Sequence, residues 1–381
     1  MKTYKIFCML WACWVVIGCS KTEDGGTLNG ENPPDSPEIK ADYTLLLQKE
    51  GTLKSILLNA DSEAITVNPA DSPFPDVTFP ELTYTDGHLL GLYQKKTPCE
   101  GRIMIYDFKE DQSGEMEIFT DLGDCSLSAN AIARSADTFF VAYQLEITSK
   151  ETAYFVRILD LDSDESEFTD IELDKKPVQM LVTNNRLFIL TLDEEITDEY
   201  ALSVMDMNTN LLIHEMDLGF DVRRIFKTPE MDVIVSYDEL HTTLDSASMS
   251  FEYTQYNEDT APNFMESDFE YFDASGKMYY EMLSGSNSMY PFIPAVYDFD
   301  ENLAILYAFE NFLTQEQRDF EFEIERTSMV SYDEENGLIL IGYKKSSDDG
   351  KGGLLRIKPI PDPEFIDNLD LEGVPFQIFV E

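Results

Sequence analysis

From residue 43 onward, hydrophobic positions fall into short runs punctuated by Asn, Asp and Gly. Residues 183–218 show the unit most plainly. Asn184-Asn185 mark a turn, because Asn tolerates positive φ. Leu187-Phe188-Ile189-Leu190 then form an unbroken apolar run, the pattern of a strand buried on both faces. An acidic loop over Asp193–Glu199 leads to a hairpin, Ala201–Met207 and Leu211–Met216, folded about Asn208-Thr209-Asn210. The turn-then-strand element recurs at Asp86-Gly87, Ala136-Asp137, Glu230-Met231, Glu301-Asn302 and Asn336-Gly337. The hairpin recurs as Ile103–Phe108 with Glu115–Phe119, and as Tyr154–Leu159 with Glu167–Leu173. A third copy reads as Phe269–Phe272 and Lys277–Leu283 about Asp273–Gly276.

Taking the second turn residue as a mark gives positions 87, 137, 185, 231, 302 and 337, spaced by 50, 48, 46, 71 and 35. The first three spacings match a four-stranded propeller blade of about 40–50 residues. No amphipathic helix of useful length interrupts the strands, which argues against alternating βαβ architecture. The chain from 42 to 381 therefore reads as all-β, with six or seven four-stranded antiparallel blades. It resembles the broad β-propeller class, including WD40-like and lipoprotein propellers, although no Trp-Asp blade signature is present. Tyr43–Gln48 opens the folded part and Val374–Val380 ends it. We expect this last strand to share a blade with N-terminal strands, because an open ring would expose unpaired blade faces and edges. The 25 Phe and 19 Tyr supply bulk for sheet-on-sheet packing.

The N-terminus carries the most specific signal. Lys2 and Lys5 precede an apolar run, Ile6–Ile17, too short for a comfortable membrane span and suited to a secretory leader. It ends in Val16-Ile17-Gly18-Cys19, which resembles the bacterial lipobox. That resemblance implies a signal peptide over residues 1–18 and lipidation of Cys19, with acyl chains contributing about 0.8 kcal/mol per buried methylene. Ser20–Asp24 resembles the acidic sorting tract of surface lipoproteins in the Bacteroidota, which implies an outer-membrane protein facing the cell exterior, the alternative being an outer-membrane lipoprotein facing the periplasm. The segment Gly25–Pro37 has no hydrophobic periodicity and reads as a tether, so residues 19–41 form a lipidated, flexible link.

Removing Cys8, Cys13 and Cys19 leaves Cys99 and Cys125. In an oxidising envelope compartment these two suggest one disulfide, clamping the hairpin between them and worth roughly 3–4 kcal/mol in the chain-entropy model. The formal net charge is −47, from 27 bases against 74 acids. Such a surface disfavours nucleic acid and anionic headgroups and promotes solubility. The acidic run Asp160–Glu167 has the Asp-x-Asp-x-Asp spacing of a calcium loop. It departs from that pattern at Glu165, where Gly is required, and at Ile171, where Glu is required. It reads as a solvated turn.

Candidate chemistry is sparse. His88, His214 and His241 share no metal-ligand spacing, and no nucleophile elbow, phosphate loop or dinucleotide fingerprint occurs, so no cofactor is expected. The long interval between marks 231 and 302 contains Tyr253, Tyr256, Phe264, Met265, Tyr290 and Phe292 among Asn, Ser and Gly. This composition suits an adaptable binding loop. The leading expectation is a non-enzymatic surface binding or interaction module, anchored to the membrane by its lipid and meeting an envelope protein or a glycan. A carbohydrate-active enzyme needs only two correctly spaced carboxylates and stays open, as does a structural subunit of an outer-membrane complex.

Overall fold

The computed structural model describes residues 41–123, 126–148, 151–161, 168–194, 197–257, 261–264 and 270–380. Strands β1 (Tyr43–Lys49), β2 (Thr52–Ala60) and β3 (Ile65–Val67) pair in sequence, and the two-residue β4 (Val77–Thr78) also pairs with β2. Blade 2 comprises β5 (Leu82–Asp86), β6 (Leu89–Lys95), β7 (Gly101–Asp107) and β8 (Gln112–Ile118). Blade 3 comprises β9 (Leu127–Arg134), β10 (Thr138–Thr148), β11 (Glu151–Asp160) and β12 (Phe168–Leu173). Blade 4 comprises β13 (Lys176–Thr183), β14 (Arg186–Leu192), β15 (Tyr200–Asp206) and β16 (Leu211–Gly219). Blade 5 comprises β17 (Val222–Lys227), β18 (Val233–Tyr237), β19 (Leu240–Leu244) and β20 (Phe251–Gln255). Blade 6 comprises β21 (Glu270–Phe272), β22 (Met278–Leu283), β23 (Phe292–Asp298) and β24 (Leu303–Leu306). Blade 7 comprises β25 (Ile324–Asp333), β26 (Leu338–Lys345), β27 (Gly352–Lys358) and β28 (Glu364–Leu371). The final strand, β29 (Val374–Val380), pairs antiparallel with β1 and completes blade 1 from the other end of the chain.

The result is a seven-bladed β-propeller, and its closure follows the expectation for the last strand. Blade-to-blade packing explains the apolar runs. In β14, Leu187 and Ile189 pack on blade 3, with Phe140, Ala142, Val156 and Met180 nearby. The alternate residues Phe188 and Leu190 pack on blade 5 with Val222, Ile225 and Val235. Successive side chains of a strand point to opposite faces, so a strand covered on both sides must be apolar at every position. In β10, Phe140 and Ala142 face blade 4, while Phe139, Val141 and Tyr143 face blade 2. In β26, Ile339 and Ile341 face blade 6, and Leu340 faces blade 1. Leu45 and Leu47 of β1 meet blade 7, whereas Leu46 meets Leu90 and Leu92 of blade 2. The interfaces run without a break from blade 1 round to blade 1.

Two buried arginines, each paired with a carboxylate, bolt neighbouring blades. Arg157 on β11 lies opposite Asp170 on β12 and binds it at 2.7 and 2.9 Å. It also reaches Asp121, beyond the end of blade 2, at 2.6 and 2.9 Å. Arg356 on β27 repeats the device: it lies opposite Asp367, binds it at 2.8 and 3.0 Å, and donates to the Asp61 carbonyl of blade 1 at 2.6 Å.

One mark needs correction. The run at Leu303–Leu306 is β24, the outermost strand of blade 6, partly exposed and not equivalent to the buried second strands. The equivalent turn is at Gly276 (φ +82°), ahead of β22. Likewise the expected hairpin of Phe269–Phe272 with Lys277–Leu283 is, over its described residues, the first hairpin of blade 6, β21–β22, rather than a third–fourth strand pair. With 276 in place of 302, the spacing of 71 disappears, and the extra chain lies later, between β24 and β25. There it forms a 3-10 turn at Phe309–Asn311 and a π-helical turn at Gln317–Glu321.

Candidate functional site: the axial cavity

The innermost strand of each blade has no sheet partner on its axial side, so its backbone groups and axial side chains face the centre of the ring. Residues of β5, β9, β13, β17, β21 and β29 enclose a cavity of about 850 Å³ there. Antiparallel meanders place the turns between first and second strands and between third and fourth strands on one face. The cavity reaches that face, since its lining includes Gly87, His88, Lys109, Thr228 and Pro229 from such turns.

The wall is polar and aromatic. Lys227, at the end of β17, forms an ion pair with Asp86, at the end of β5. These strands belong to blades 5 and 2, three positions apart in a ring of seven, so the pair spans the axis. Arg224 binds Glu270 of the next blade at 2.8 Å. Gln179 on β13 clasps the backbone of Ile225: its Nε2 donates to the carbonyl at 2.8 Å, and the Ile225 N–H donates to Oε1 at 2.9 Å. Such a side chain supplies the partner that an inner strand edge lacks. Tyr84 accepts a hydrogen bond from the Val182 N–H at 3.4 Å, and burial, with nearby Asp86 adding, pushes its phenol well above the usual range. Burial, reinforced by Glu334 and Asp273, raises the Tyr271 phenol to about 12. Both rings therefore act as neutral hydroxyls at physiological pH.

The sign of the lining is unusual for this chain. Overall, 74 acids face 27 bases. The lining instead holds three bases, Lys109, Arg224 and Lys227, against two acids, Asp86 and Glu270. Arg224 Nη1 is moreover a buried donor with no acceptor among the described residues. The arrangement can seat a ligand between aromatic and amide side chains and meet its charge.

No family model and no curated protein sequence matches the chain. Among solved structures, a protein of unknown function from Bacteroides caccae is 10% identical, with 73% of this chain and 93% of that one covered and a TM-score of 0.39. The β-propeller domain of the Trilobed protease from Pyrococcus furiosus is 9% identical, with coverage of 85% and 98% and a TM-score of 0.45. Apo AztD from Citrobacter koseri is 10% identical, with coverage of 88% and 97% and a TM-score of 0.47. This likeness is one of fold. It assigns no activity, and the blade count rests on the strand order of this chain.

The residues singled out from the sequence do not assemble into one surface. Tyr253 lies on β20, the outer strand of blade 5, and is 64% exposed, edge-on to Phe251. Tyr256 and Phe264 are buried between blades 5 and 6 with Phe226, Tyr280 and Tyr297. Tyr290 is buried between blades 6 and 7, and Phe292, on β23, is partly buried under the Arg326 guanidinium. Of the histidines, His88 lines the cavity 3.6 Å from Asp107, His241 is buried among Tyr256, Tyr297 and Phe299, and His214 is exposed on β16. Cys99 is disulfide-bonded. Its expected partner Cys125, the lipidation site Cys19, Met265 and the acidic run 162–167 lie outside the described residues. Sequence reasoning missed Asp86, Arg224, Lys227 and Glu270. A signal was available in β17, VRRIFK, which places three bases within six residues of a strongly acidic chain.

Proposed function

We propose that the protein is an outer-membrane lipoprotein, tethered through Cys19 and displayed to the cell exterior, which acts as a non-enzymatic binding module with the axial cavity as its ligand seat. The observation that carries this reading is the cavity itself: about 850 Å³, with aromatic, amide and charged side chains converging from six blades. An envelope glycan or the exposed segment of an envelope protein are the ligands to test. At this cavity, a carbohydrate-active enzyme would draw its two acids from Asp86 and Glu270, the carboxylates among its described lining residues. Each is paired with a base, Glu270 with Arg224 and Asp86 with Lys227, whereas glycoside cleavage needs two carboxyl groups placed on either side of the scissile bond.

Calorimetric titration of the intact lipoprotein with envelope glycans and oligosaccharides, combined with product analysis, tests the reading. We expect saturable binding with ligand recovered unchanged, weakened at least tenfold by Thr83→Trp, which fills part of the cavity from β5. Released product would establish the enzyme instead, and binding indifferent to Thr83→Trp would move the seat elsewhere. Cys19→Ala is expected to shift the protein from the membrane to the soluble fraction, and retention in the membrane would refute the anchor.

A further inference from the structure

Resting on the cavity as the ligand seat, we propose that its ligand carries an oxyanion, a carboxylate or a phosphate, which is bound by Arg224. Three observations converge. The lining reverses the charge ratio of the chain, with three bases to two acids where 27 bases face 74 acids overall. A cavity without a charge preference would share the acidic bias of the rest. Arg224 is placed as a recognition group: its Nη2 is fixed by Glu270 at 2.8 Å, its guanidinium lies 5.1 Å from the Phe226 ring, and its Nη1 has no acceptor among the described residues. A guanidinium presents five donors in a rigid fork that matches an oxyanion. Finally, the lysines add charge without competing for the same atoms. Lys227 is paired with Asp86 across the axis, and Lys109 stands at the rim with only a 3.9 Å approach to Glu110 of its own turn.

The acidic exterior does not forbid this. At physiological ionic strength exposed charges are screened beyond about 8 Å, so an anion inside the cavity responds to the lining. The exterior selects against access by large polyanions and leaves small ones free to enter.

The test uses the whole lipoprotein and four probes at matched ionic strength: D-glucuronate, inorganic phosphate, D-glucose and D-glucosamine, each titrated while thermal stability is followed. We expect saturable stabilisation by glucuronate or phosphate, and which of the two binds separates a carboxylate from a phosphate source. Affinity should fall at least tenfold in Arg224→Gln and less in Arg224→Lys, which keeps the charge and loses the fork. If Arg224→Gln does not fold, the paired variant Arg224→Gln/Glu270→Gln removes the charge without stranding the carboxylate. Stabilisation by glucose or glucosamine alone would overturn the anion inference while leaving the cavity reading intact. Equal anion response in wild type and variants, or none in wild type, would overturn it as well.

Discussion

Arg157 shows how much depends on where a charge sits. Its side chain is 1% exposed and is held by four hydrogen bonds to Asp121 and Asp170, with the Phe168 ring 3.8 Å away. Arg102, on the neighbouring blade, pairs with Glu115 and Glu117 at the surface. Removing one partner of a buried pair strands the others, whereas exposed pairs are screened and entropically loose. Arg157→Met should therefore cost on the order of 3 kcal/mol in chemical denaturation, and Arg102→Met less than about 1 kcal/mol. Equal costs would show that the bolt is ornamental. His241 makes a second prediction. Burial lowers its pKa to about 4, so in the pH range between that value and its ordinary 6.5 the unfolded chain binds a proton that the folded chain refuses. Its contribution is complete above pH 6.5 and is lost as pH falls toward 4, a change of about 3 kcal/mol. The stability difference between wild type and His241→Phe should shift by that amount between pH 7 and pH 4, in favour of the variant. A constant difference would mean that the imidazole takes up its proton in the folded chain as it does in the unfolded one.

At the scale of elements, the second strands of blades 2–5 and 7 were legible in the sequence because burial on both faces leaves a contiguous apolar run. Phe139–Tyr143, Leu187–Leu190 and Leu338–Ile341 are such strands, and each divides its side chains between two interfaces. The same rule misled at Leu303–Leu306, where β24 is apolar yet lies on the outer edge. Hydropathy alone does not separate an inner strand from an outer strand shielded by a neighbouring insertion. The aromatics of residues 251–292 misled for a related reason. Among Asn and Ser they resemble a binding loop, but Tyr256, Phe264 and Tyr290 close the gaps between wedge-shaped blades. The site-forming strands were hardest to read, since β5, β17 and β21 are short and carry polar residues toward the axis. Ile189→Ala, in the blade 3–4 interface, should cost about 2–5 kcal/mol. Leu211→Ala, exposed on β16, should stay within about 0.5 kcal/mol. Comparable losses would contradict the assignment of inner and outer strands.

For the whole molecule, closure and binding share one element. β29 joins the two ends of the chain through its pairing with β1, and its residues Gln377–Val380 form part of the cavity wall. A chain ending at Gly373 should lose cooperative thermal unfolding, because β1 loses its inner pairing partner while Ile378 leaves the blade 7–1 interface and Phe379 the blade 1–2 interface. Retention of a single sharp transition would show that the ring does not depend on the joint. The location of the ligand is tested most directly by fluorescence. Both tryptophans, Trp11 and Trp14, precede the lipidation site, so Phe272→Trp on the cavity wall gives a single reporter in a chain without the leader. Titrated with a ligand whose affinity is known from calorimetry, this protein should change its emission saturably, with the calorimetric midpoint. Calorimetric binding with unchanged emission would place the ligand outside the axial cavity and contradict the account.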